Sequence, residues 1–244
     1  MLSEYGQAIL QKSDNKGCET FREEIRLFLA RNKGITVTLP QIVVGSGAEY
    51  LYGLLGQLLR DRRFATEAPC YEKITQVYSA MGIAFDPLPL SPSGISGEAL
   101  NGTDATVLHV TPFHSYPAGI TVSASKKREY LAWAKERNGF IIEDNFDSEL
   151  TVSGKPEESL YKLANGERVV YVNTFSKTVS SSLRVGYMLL PLELLDAFEE
   201  KLGFYSCTVP TFDQYILAEL LRSGNFERHI NRIRRLRRQN KSEL

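Results

Sequence analysis

Short apolar runs alternate with amphipathic segments along most of the chain. The apolar runs are rich in Val, Ile and Phe, and they predict strands at 42–44, 64–66, 83–88, 106–110, 140–142, 169–172 and 185–190. Apolar positions spaced three and four residues apart predict helices at 20–31, 48–59, 123–138 and 212–241, and Pro191 starts another. This alternation predicts an α/β fold with a mainly parallel sheet covered by helices on both faces.

The composition is that of a globular protein with balanced charge. The chain has 244 residues, 43% of them hydrophobic, and it carries 29 Lys plus Arg against 29 Asp plus Glu. That balance neither favours nor excludes a nucleic-acid partner. Cys18, Cys70 and Cys207 are far apart and odd in number, which predicts no metal site and indicates a reducing compartment. Because no apolar run reaches membrane-spanning length and no signal peptide is visible, we expect a soluble cytoplasmic protein.

Candidate chemistry begins where the predicted strand at 169–172 ends. Thr174, Ser176 and Lys177 follow this strand, and active-site groups of α/β sheets are commonly placed at strand ends. A lysine near apolar neighbours can lose its proton and act as a nucleophile, and pyridoxal phosphate is a common cofactor that uses such a lysine as a Schiff base. The alternative is an ordinary loop with a solvated lysine.

A carboxylate and an arginine accompany this lysine. The strand at 140–142 runs into Glu143 and Asp144, so we expect Asp144 at the same sheet edge as Lys177. A carboxylate there can keep a pyridine nitrogen protonated and make the ring an electron sink. The planar fork of Arg184 suits a phosphate group. The alternatives are a solvated acidic loop for Asp144 and a surface arginine for Arg184.

Two further features fit a phosphorylated ring. Gly45, Ser46 and Gly47 lie between a strand and the helix that begins at Ala48, an arrangement whose free N–H groups hold phosphate, although a plain tight turn is the alternative. Tyr71 follows a proline turn and can stack on a flat ring, although such an aromatic is usually part of the core. Together these residues predict a site for a phosphorylated aromatic aldehyde.

At this point the chain resembles the fold-type I pyridoxal-phosphate enzymes of aminotransferase class I/II. Within them it is most similar to the aminotransferase-like domain of MocR-type (GabR-like) transcriptional regulators of the GntR family. The motifs that carry the resemblance span nearly the whole chain: 45–51, 69–71, 111–114, 117–119, 142–149, 174–177 and 183–184.

The resemblance implies a three-layer α/β/α pyridoxal-phosphate-transferase large domain, usually a homodimer, and a role for each matching residue. Lys177 would bind the cofactor as a Schiff base and carry the α-proton of the substrate. Asp144 would pair with the pyridine nitrogen, and Tyr71 would stack on the ring. The phosphate would be held by the turn at Gly47 and the backbone of Ala48 and Glu49, together with Thr174, Ser176 and Arg184.

Three features depart from the family pattern. Phe146 stands beside the cofactor where the family usually has a tyrosine that donates to the ring oxygen, which phenylalanine cannot do. Gly17 and Cys18 replace a glycine–tyrosine pair that reaches the partner's phosphate. Finally, residues 1–227 match the large domain and 228–244 form a basic helix leading toward a small C-terminal domain, which is expected beyond Leu244 together with the arginine that grips substrate carboxylates.

Three functions remain open from the sequence. The first is the effector-sensing domain of a MocR-type regulator, which binds an amino acid or amine and contacts DNA only through a separate N-terminal domain. The second is a free-standing aminotransferase. The third is a nucleic-acid-binding fragment based on Arg228, Arg232, Arg234, Arg235, Arg237, Arg238 and Lys241, although such a stripe is more often a solvated helix face. We expect weak cofactor binding and little turnover from these residues alone.

Overall fold

The structure is a computed structural model that describes residues 6–7, 9–150 and 158–242. Its centre is one sheet of eight strands in the order β1-β8-β7-β6-β5-β2-β3-β4. The strands are β1 (Ile42–Gly45), β2 (Phe64–Ala68), β3 (Phe85–Ser91), β4 (Gly94–Ile95), β5 (Val107–Val110), β6 (Phe140–Asp144), β7 (Val169–Thr174) and β8 (Gly186–Leu189). Neighbouring strands from β7 through β6, β5 and β2 to β3 run parallel, whereas β8 is antiparallel to both β7 and β1, and β4 is antiparallel to β3.

Helices connect the strands. They are α1 (Glu19–Lys33), α2 (Ala48–Leu58), α3 (Glu72–Ala80), α4 (Gly97–Gly102), α5 (Ala124–Glu136), α6 (Leu160–Leu163), α7 (Leu195–Leu202), α8 (Thr211–Arg222) and α9 (Asn225–Ser242). Short 3-10 turns lie at Leu39–Gln41, Ser148–Leu150 and Leu192–Leu194. The predicted α/β fold with a mainly parallel sheet is therefore confirmed.

The sheet separates two apolar cores. Successive side chains of a strand point to opposite faces, so Val43 packs in the core with α2, α3 and α7, whereas Val44 packs in the core with α1, α5, α6, α8 and α9. Ile142 and Ile141 divide in the same way on β6. Burial on both faces explains why the central strands read as continuous apolar runs rather than as alternating ones. The result is the expected three-layer α/β/α arrangement.

Register brings the candidate residues to one edge. β6 and β7 pair in parallel with Asp144 opposite Val172, and Asn145 N–H donates to the Val172 carbonyl at 2.8 Å. Both strands therefore end at the same edge, where Asp144 closes β6 and the loop carrying Lys177 leaves β7. β1 and β7 are both antiparallel to β8, so they run in the same direction. The N-terminus of α2, which follows β1, therefore lies at this edge as well.

Some predicted boundaries are wrong. The strand predicted at 83–88 is β3 at Phe85–Ser91, and the strand at 64–66 extends to Ala68. The helix predicted over 212–241 is two helices, α8 and α9, separated at Ser223 and Gly224. Gly224 has φ +68°, the left-handed conformation that commonly ends a helix.

The basic stripe lies on α9, and part of it is bound to the body of the domain. Arg234 Nε donates to the Glu149 carbonyl at 2.6 Å, and Arg237 Nη1 donates to the Leu150 carbonyl at 3.2 Å. Phe226, at the start of α9, packs edge-on against Phe28 with ring centroids 5.3 Å apart. The first turns of this helix therefore pack against the sheet domain, and the domain boundary after residue 227 stays a prediction.

Candidate functional site

A cavity of about 340 Å³ opens at the edge where β6 and β7 end. It is lined by Ala48, Glu49, Tyr52, Tyr71, Tyr116, Phe146, Thr174, Ser176, Lys177 and Arg184. All the predicted site residues except Gly47 and Asp144 are in its wall. Those two touch wall residues, because Asp144 is bonded to Tyr52 and Gly47 lies against Arg184. The structure therefore brings the whole predicted set together.

The start of α2 forms one end of this cavity. Gly47 is the residue before the helix, it has φ +91°, and no side chain caps the first turn. A Cβ atom at Gly47 would lie 3.2 Å from Arg184 Nη2, so glycine serves both the backbone conformation and the close approach of the guanidinium. The N–H groups of the first helical turn and the Arg184 guanidinium together make an end suited to an anion.

A carboxylate shares this end of the cavity. Arg184 Nη2 lies 2.7 Å from Glu49 Oε2, and the two side chains are 52% and 39% exposed. The sequence interpretation assigned Glu49 through its backbone alone and did not foresee this ion pair. An anion bound at Arg184 therefore lies close to the carboxylate of Glu49, which is in the first turn of α2.

Asp144 is a buried carboxyl rather than part of a solvated acidic loop, so that alternative is wrong. It is 1% exposed, its Oδ2 accepts a short hydrogen bond from Tyr52, and its Oδ1 accepts from the Phe146 N–H at 3.2 Å. Burial raises the pKa of Asp144 to about 6, against the lowering effects of Tyr52, the Phe146 N–H and the positive charge of Lys177. Asp144 is therefore mostly ionised at neutral pH.

The neighbouring carboxyl, Glu143, forms hydrogen bonds with a helix N-terminus instead of adjoining the cavity. It points to the other face of the sheet and accepts from the N–H groups of Leu160 and Tyr161 at 2.8 and 2.9 Å. These bonds satisfy the first turn of α6. Burial raises the pKa of Glu143 to about 7. Of the two adjacent acids, Asp144 alone adjoins the cavity, and Glu143 holds a helix in place.

Lys177 extends from the loop after β7 and is exposed. Its Nζ lies 4.2 Å from the centroid of the Phe146 ring. The Phe146 ring supplies an apolar neighbour for the end of this side chain, which is otherwise exposed. Phe146 lies in the cavity wall, and its ring has no hydroxyl to offer as a hydrogen-bond donor there.

Thr174 and Ser176, the other two polar residues at the end of β7, already make hydrogen bonds within the chain. Thr174 ends the strand, and its N–H donates to Asn173 Oδ1 at 2.7 Å. Ser176 Oγ donates to the Leu183 carbonyl at 3.0 Å, which ties the lysine loop to the segment that carries Arg184. Its oxygen lone pairs cannot bind a phosphate oxygen, but its hydroxyl proton can be redirected to one.

Two tyrosines form the outer wall. Tyr71 is 38% exposed and Tyr116 is 57% exposed, and their rings meet edge-to-face with centroids 6.4 Å apart and planes at 73°. Tyr71 is thus not a core aromatic, and that alternative is wrong. Its position fits a residue that covers a flat ring.

Tyr52 and Tyr116 were missed by the sequence interpretation. Tyr52 falls on the apolar face of α2, which indicates a core residue, and Tyr116 sits in a loop with two prolines whose path the pattern does not predict. The Gly17–Cys18 pair is placed away from the cavity wall: Cys18 is buried, and its N–H donates to Gln214 Oε1 at 2.7 Å. Within the described part of the chain, no group of three or more His, Cys, Asp or Glu could hold a metal ion, and no helix has the length and apolarity to cross a membrane.

Residues 4–244 match the sequence profile described as aminotransferase class I and II. The chain belongs to this family. Its relatives include the "Uncharacterized HTH-type transcriptional regulator YdeL" of Bacillus subtilis, at 31% identity over 99% of this chain and 52% of the relative. They also include the "HTH-type pyridoxine biosynthesis transcriptional regulator PdxR" of Corynebacterium glutamicum, at 32% identity over 94% and 51%.

Solved structures agree on the fold. The crystal structure of the multiple substrate aminotransferase from Thermococcus profundus matches with a TM-score of 0.86 and 25% identity, over 99% of this chain and 62% of that one. This chain spans about half the length of the curated relatives it matches. It corresponds to the large domain of an aminotransferase class I and II fold, a domain that MocR-type regulators and aminotransferases share.

Membership of this family implies pyridoxal phosphate as the cofactor. The residues present fit it: an uncapped helix N-terminus and an arginine for the phosphate, an exposed tyrosine for the ring face, a buried carboxylate and a lysine at one strand edge. Phe146 fits less well, because it has no hydroxyl to donate to the ring oxygen.

Proposed function

We propose that this chain is the pyridoxal-phosphate-binding, effector-sensing domain of a MocR-type transcriptional regulator. The observation that carries the cofactor site is the placement of Asp144 and Lys177 at one sheet edge, beside the free start of α2 and Arg184. The regulator assignment is supported by the two helix-turn-helix relatives at 31% and 32% identity. In this proposal DNA is bound by a helix-turn-helix segment, whereas these residues carry the small-molecule site.

The residues would divide the work as follows. Lys177 would hold the cofactor covalently through Nζ, and the phosphate would be held by Gly47, Ala48, Glu49, Thr174, Ser176 and Arg184. When bound, pyridoxal phosphate supplies an aldehyde that amines attack and a ring that withdraws electrons.

Three other contacts prepare the site for an amino compound. Asp144 would accept a hydrogen bond from the ring nitrogen, and Tyr71 would cover the ring. The Phe146 ring supplies an apolar contact to Lys177 Nζ at 4.2 Å. Lys177 Nζ is the group placed to take up or return a proton of an amino acid or amine in the cavity. A homodimer, the usual assembly of this fold, is part of the proposal.

A free-standing aminotransferase is the second candidate. The similarity to the Thermococcus profundus aminotransferase supports it, since that relative carries out transamination on the same fold. What separates the two is the fate of a bound amine. A sensing domain holds the amine, and an enzyme releases products and turns over repeatedly.

Chemical trapping tests the cofactor site. The chain is incubated with pyridoxal phosphate, reduced with borohydride, digested and mapped by mass spectrometry. We expect the pyridoxyl group on the peptide that contains Lys177, and none there in Lys177→Arg, which lacks a primary amine. Lys73→Arg is the matched control, since Lys73 lies near Tyr71 on the outer side of the wall. A label on another lysine, with Lys177 unmodified, would refute the assignment.

Repeated turnover would decide for the second candidate. The chain at saturating pyridoxal phosphate is given a panel of amino acids and amines together with a 2-oxo acid acceptor. The proposal expects an absorbance change that saturates with the amine and at most one product per chain. Repeated turnover would establish the free-standing enzyme in place of the sensing domain.

A further inference from the structure

Tyr52 is a residue that neither the sequence nor the family comparison singles out. It lies on α2, one turn after Ala48 and Glu49, and it is 1% exposed. Its ring forms part of the cavity wall, and its hydroxyl donates to Asp144 Oδ2. It therefore links the helix that starts at the phosphate end of the site to the carboxylate at the other end.

The second oxygen of Asp144 has a weaker partner. Oδ1 accepts from the Phe146 N–H at 3.2 Å, a backbone contact within the same turn. Tyr52 is the side chain that reaches the carboxylate across the sheet edge, from 92 residues away in sequence. Because the carboxyl is buried among apolar groups, a charge-assisted bond from a hydroxyl contributes more there than it would in water. Among the favourable influences on the ionised form of Asp144, the bond from Tyr52 is the largest.

The Tyr52 ring is itself held in one orientation. The imidazole of His109 packs edge-to-face against it, with centroids 5.0 Å apart and planes at 69°. His109 in turn shares a hydrogen bond of 2.8 Å between Nδ1 and the Tyr78 hydroxyl. All three side chains are buried. Burial lowers the pKa of His109 to about 3, so a neutral ring, not a cation, supports Tyr52.

We propose that Tyr52 is the positioning residue of Asp144: its hydroxyl aims the carboxylate at the ring nitrogen of the cofactor and keeps that carboxylate ionised. This inference rests on the proposed function. Tyr52 itself forms no bond to the reacting atoms and acts through Asp144. His109 packs against the Tyr52 ring, and Tyr78 forms a hydrogen bond with His109.

The test compares two ligands that differ at one atom. Pyridoxal phosphate has a ring nitrogen, and its 1-deaza analogue has a carbon in that place. Apparent affinities for both are measured by borohydride trapping on Lys177 over a concentration series, a readout that needs no turnover. We expect the wild-type chain to prefer pyridoxal phosphate by about tenfold, because the analogue offers the buried carboxylate no N–H donor. In Tyr52→Phe we expect this preference to fall to about twofold or less.

Tyr161→Phe is the matched control. It removes a hydroxyl from a similarly buried ring in the core on the other face of the sheet, where the hydroxyl accepts from Gln41 Nε2 at 3.2 Å and makes no bond to Asp144. We expect it to keep the wild-type preference. Replacement of Tyr52 by 4-aminophenylalanine retains a donor at the same place, and should retain most of the preference even if the phenylalanine variant does not fold.

The outcomes are distinguishable. A wild-type preference that persists unchanged in Tyr52→Phe would overturn the role of Tyr52 and leave the cofactor site intact. Loss of preference in the 4-aminophenylalanine variant would overturn it as well. If the wild-type chain is trapped on Lys177 equally by both ligands, the pairing of Asp144 with the ring nitrogen fails, and the inference about Tyr52 fails with it. If Lys177 is not trapped at all, the proposed function itself is refuted.

Discussion

Glu67 gives the structure a measurable dependence of stability on pH. It lies on β2 next to the loop that carries Tyr71, it is 1% exposed, and its Oε2 accepts from Ser115 Oγ at 2.7 Å. Burial, opposed by the Ser115 bond and a backbone N–H at Thr111, raises the pKa of Glu67 from 4.5 to about 7, and the nearby charge of Asp144 adds to the rise. Glu67→Gln keeps the shape and the acceptor but cannot ionise.

The sign follows from proton binding. Between pH 4.5 and 7 the folded chain binds more protons at Glu67 than the unfolded chain, so this residue lowers the free energy of unfolding as pH rises. A change of the pKa from 4.5 to about 7 corresponds to roughly 3 kcal/mol in total, at about 1.4 kcal/mol per tenfold change. Most of that, roughly 2–3 kcal/mol, falls between pH 5 and pH 8.

Urea unfolding measures the effect. The free energy of unfolding of Glu67→Gln minus that of the wild-type chain should rise by roughly 2–3 kcal/mol from pH 5 to pH 8. His109, whose pKa is lowered to about 3, makes both chains more stable as pH rises through its range and cancels in this difference. Glu72→Gln is the control, because Glu72 is exposed. A difference that stays constant with pH, or falls, would refute the burial argument.

The remaining predictions concern the cofactor. Glu49→Gln should tighten pyridoxal phosphate binding about twofold to fivefold at low salt, because it frees Arg184 from an exposed ion pair worth roughly 0.2–1 kcal/mol; equilibrium dialysis measures this, and weaker binding would contradict it. Arg184→Ala should weaken binding by roughly 1–1.5 kcal/mol, less than a buried contact loses. Asp144→Ala should instead slow the reaction of an amine per bound cofactor more than Arg184→Ala does, as stopped-flow absorbance would show; equal rates per bound cofactor would remove Asp144 from the electron-withdrawing role.

Local pattern was sufficient for the central strands and for the residues that end them. Continuous apolar runs before Asp144 and before Thr174 mark strands buried on both faces, and polar residues directly after such runs lie at the sheet edge. The glycine turn before Ala48 could also be predicted, because the strand, the turn and the helix are consecutive in the sequence. These features depend on neighbours within a few residues, which sequence alone displays.

The predicted bounds of strands and helices are wrong where local sequence signals conflict. β3 contains Pro87 and Pro89, residues that weaken a strand pattern, and it was therefore placed too early. The break between α8 and α9 rests on one left-handed glycine, Gly224, within an otherwise helical pattern.

The chemistry of the site was decided by contacts between distant segments. Arg184 and Glu49 are 135 residues apart and Tyr52 and Asp144 are 92 apart, so no local pattern reveals either pair. Sequence determined that an acid, a lysine and an arginine would stand at strand ends. Tertiary structure alone decided that the acid is buried with a raised pKa and held by a tyrosine, while the lysine and arginine are exposed. The physical reason is that burial and hydrogen bonding depend on what packs across the sheet, and the chain order does not specify that packing residue by residue.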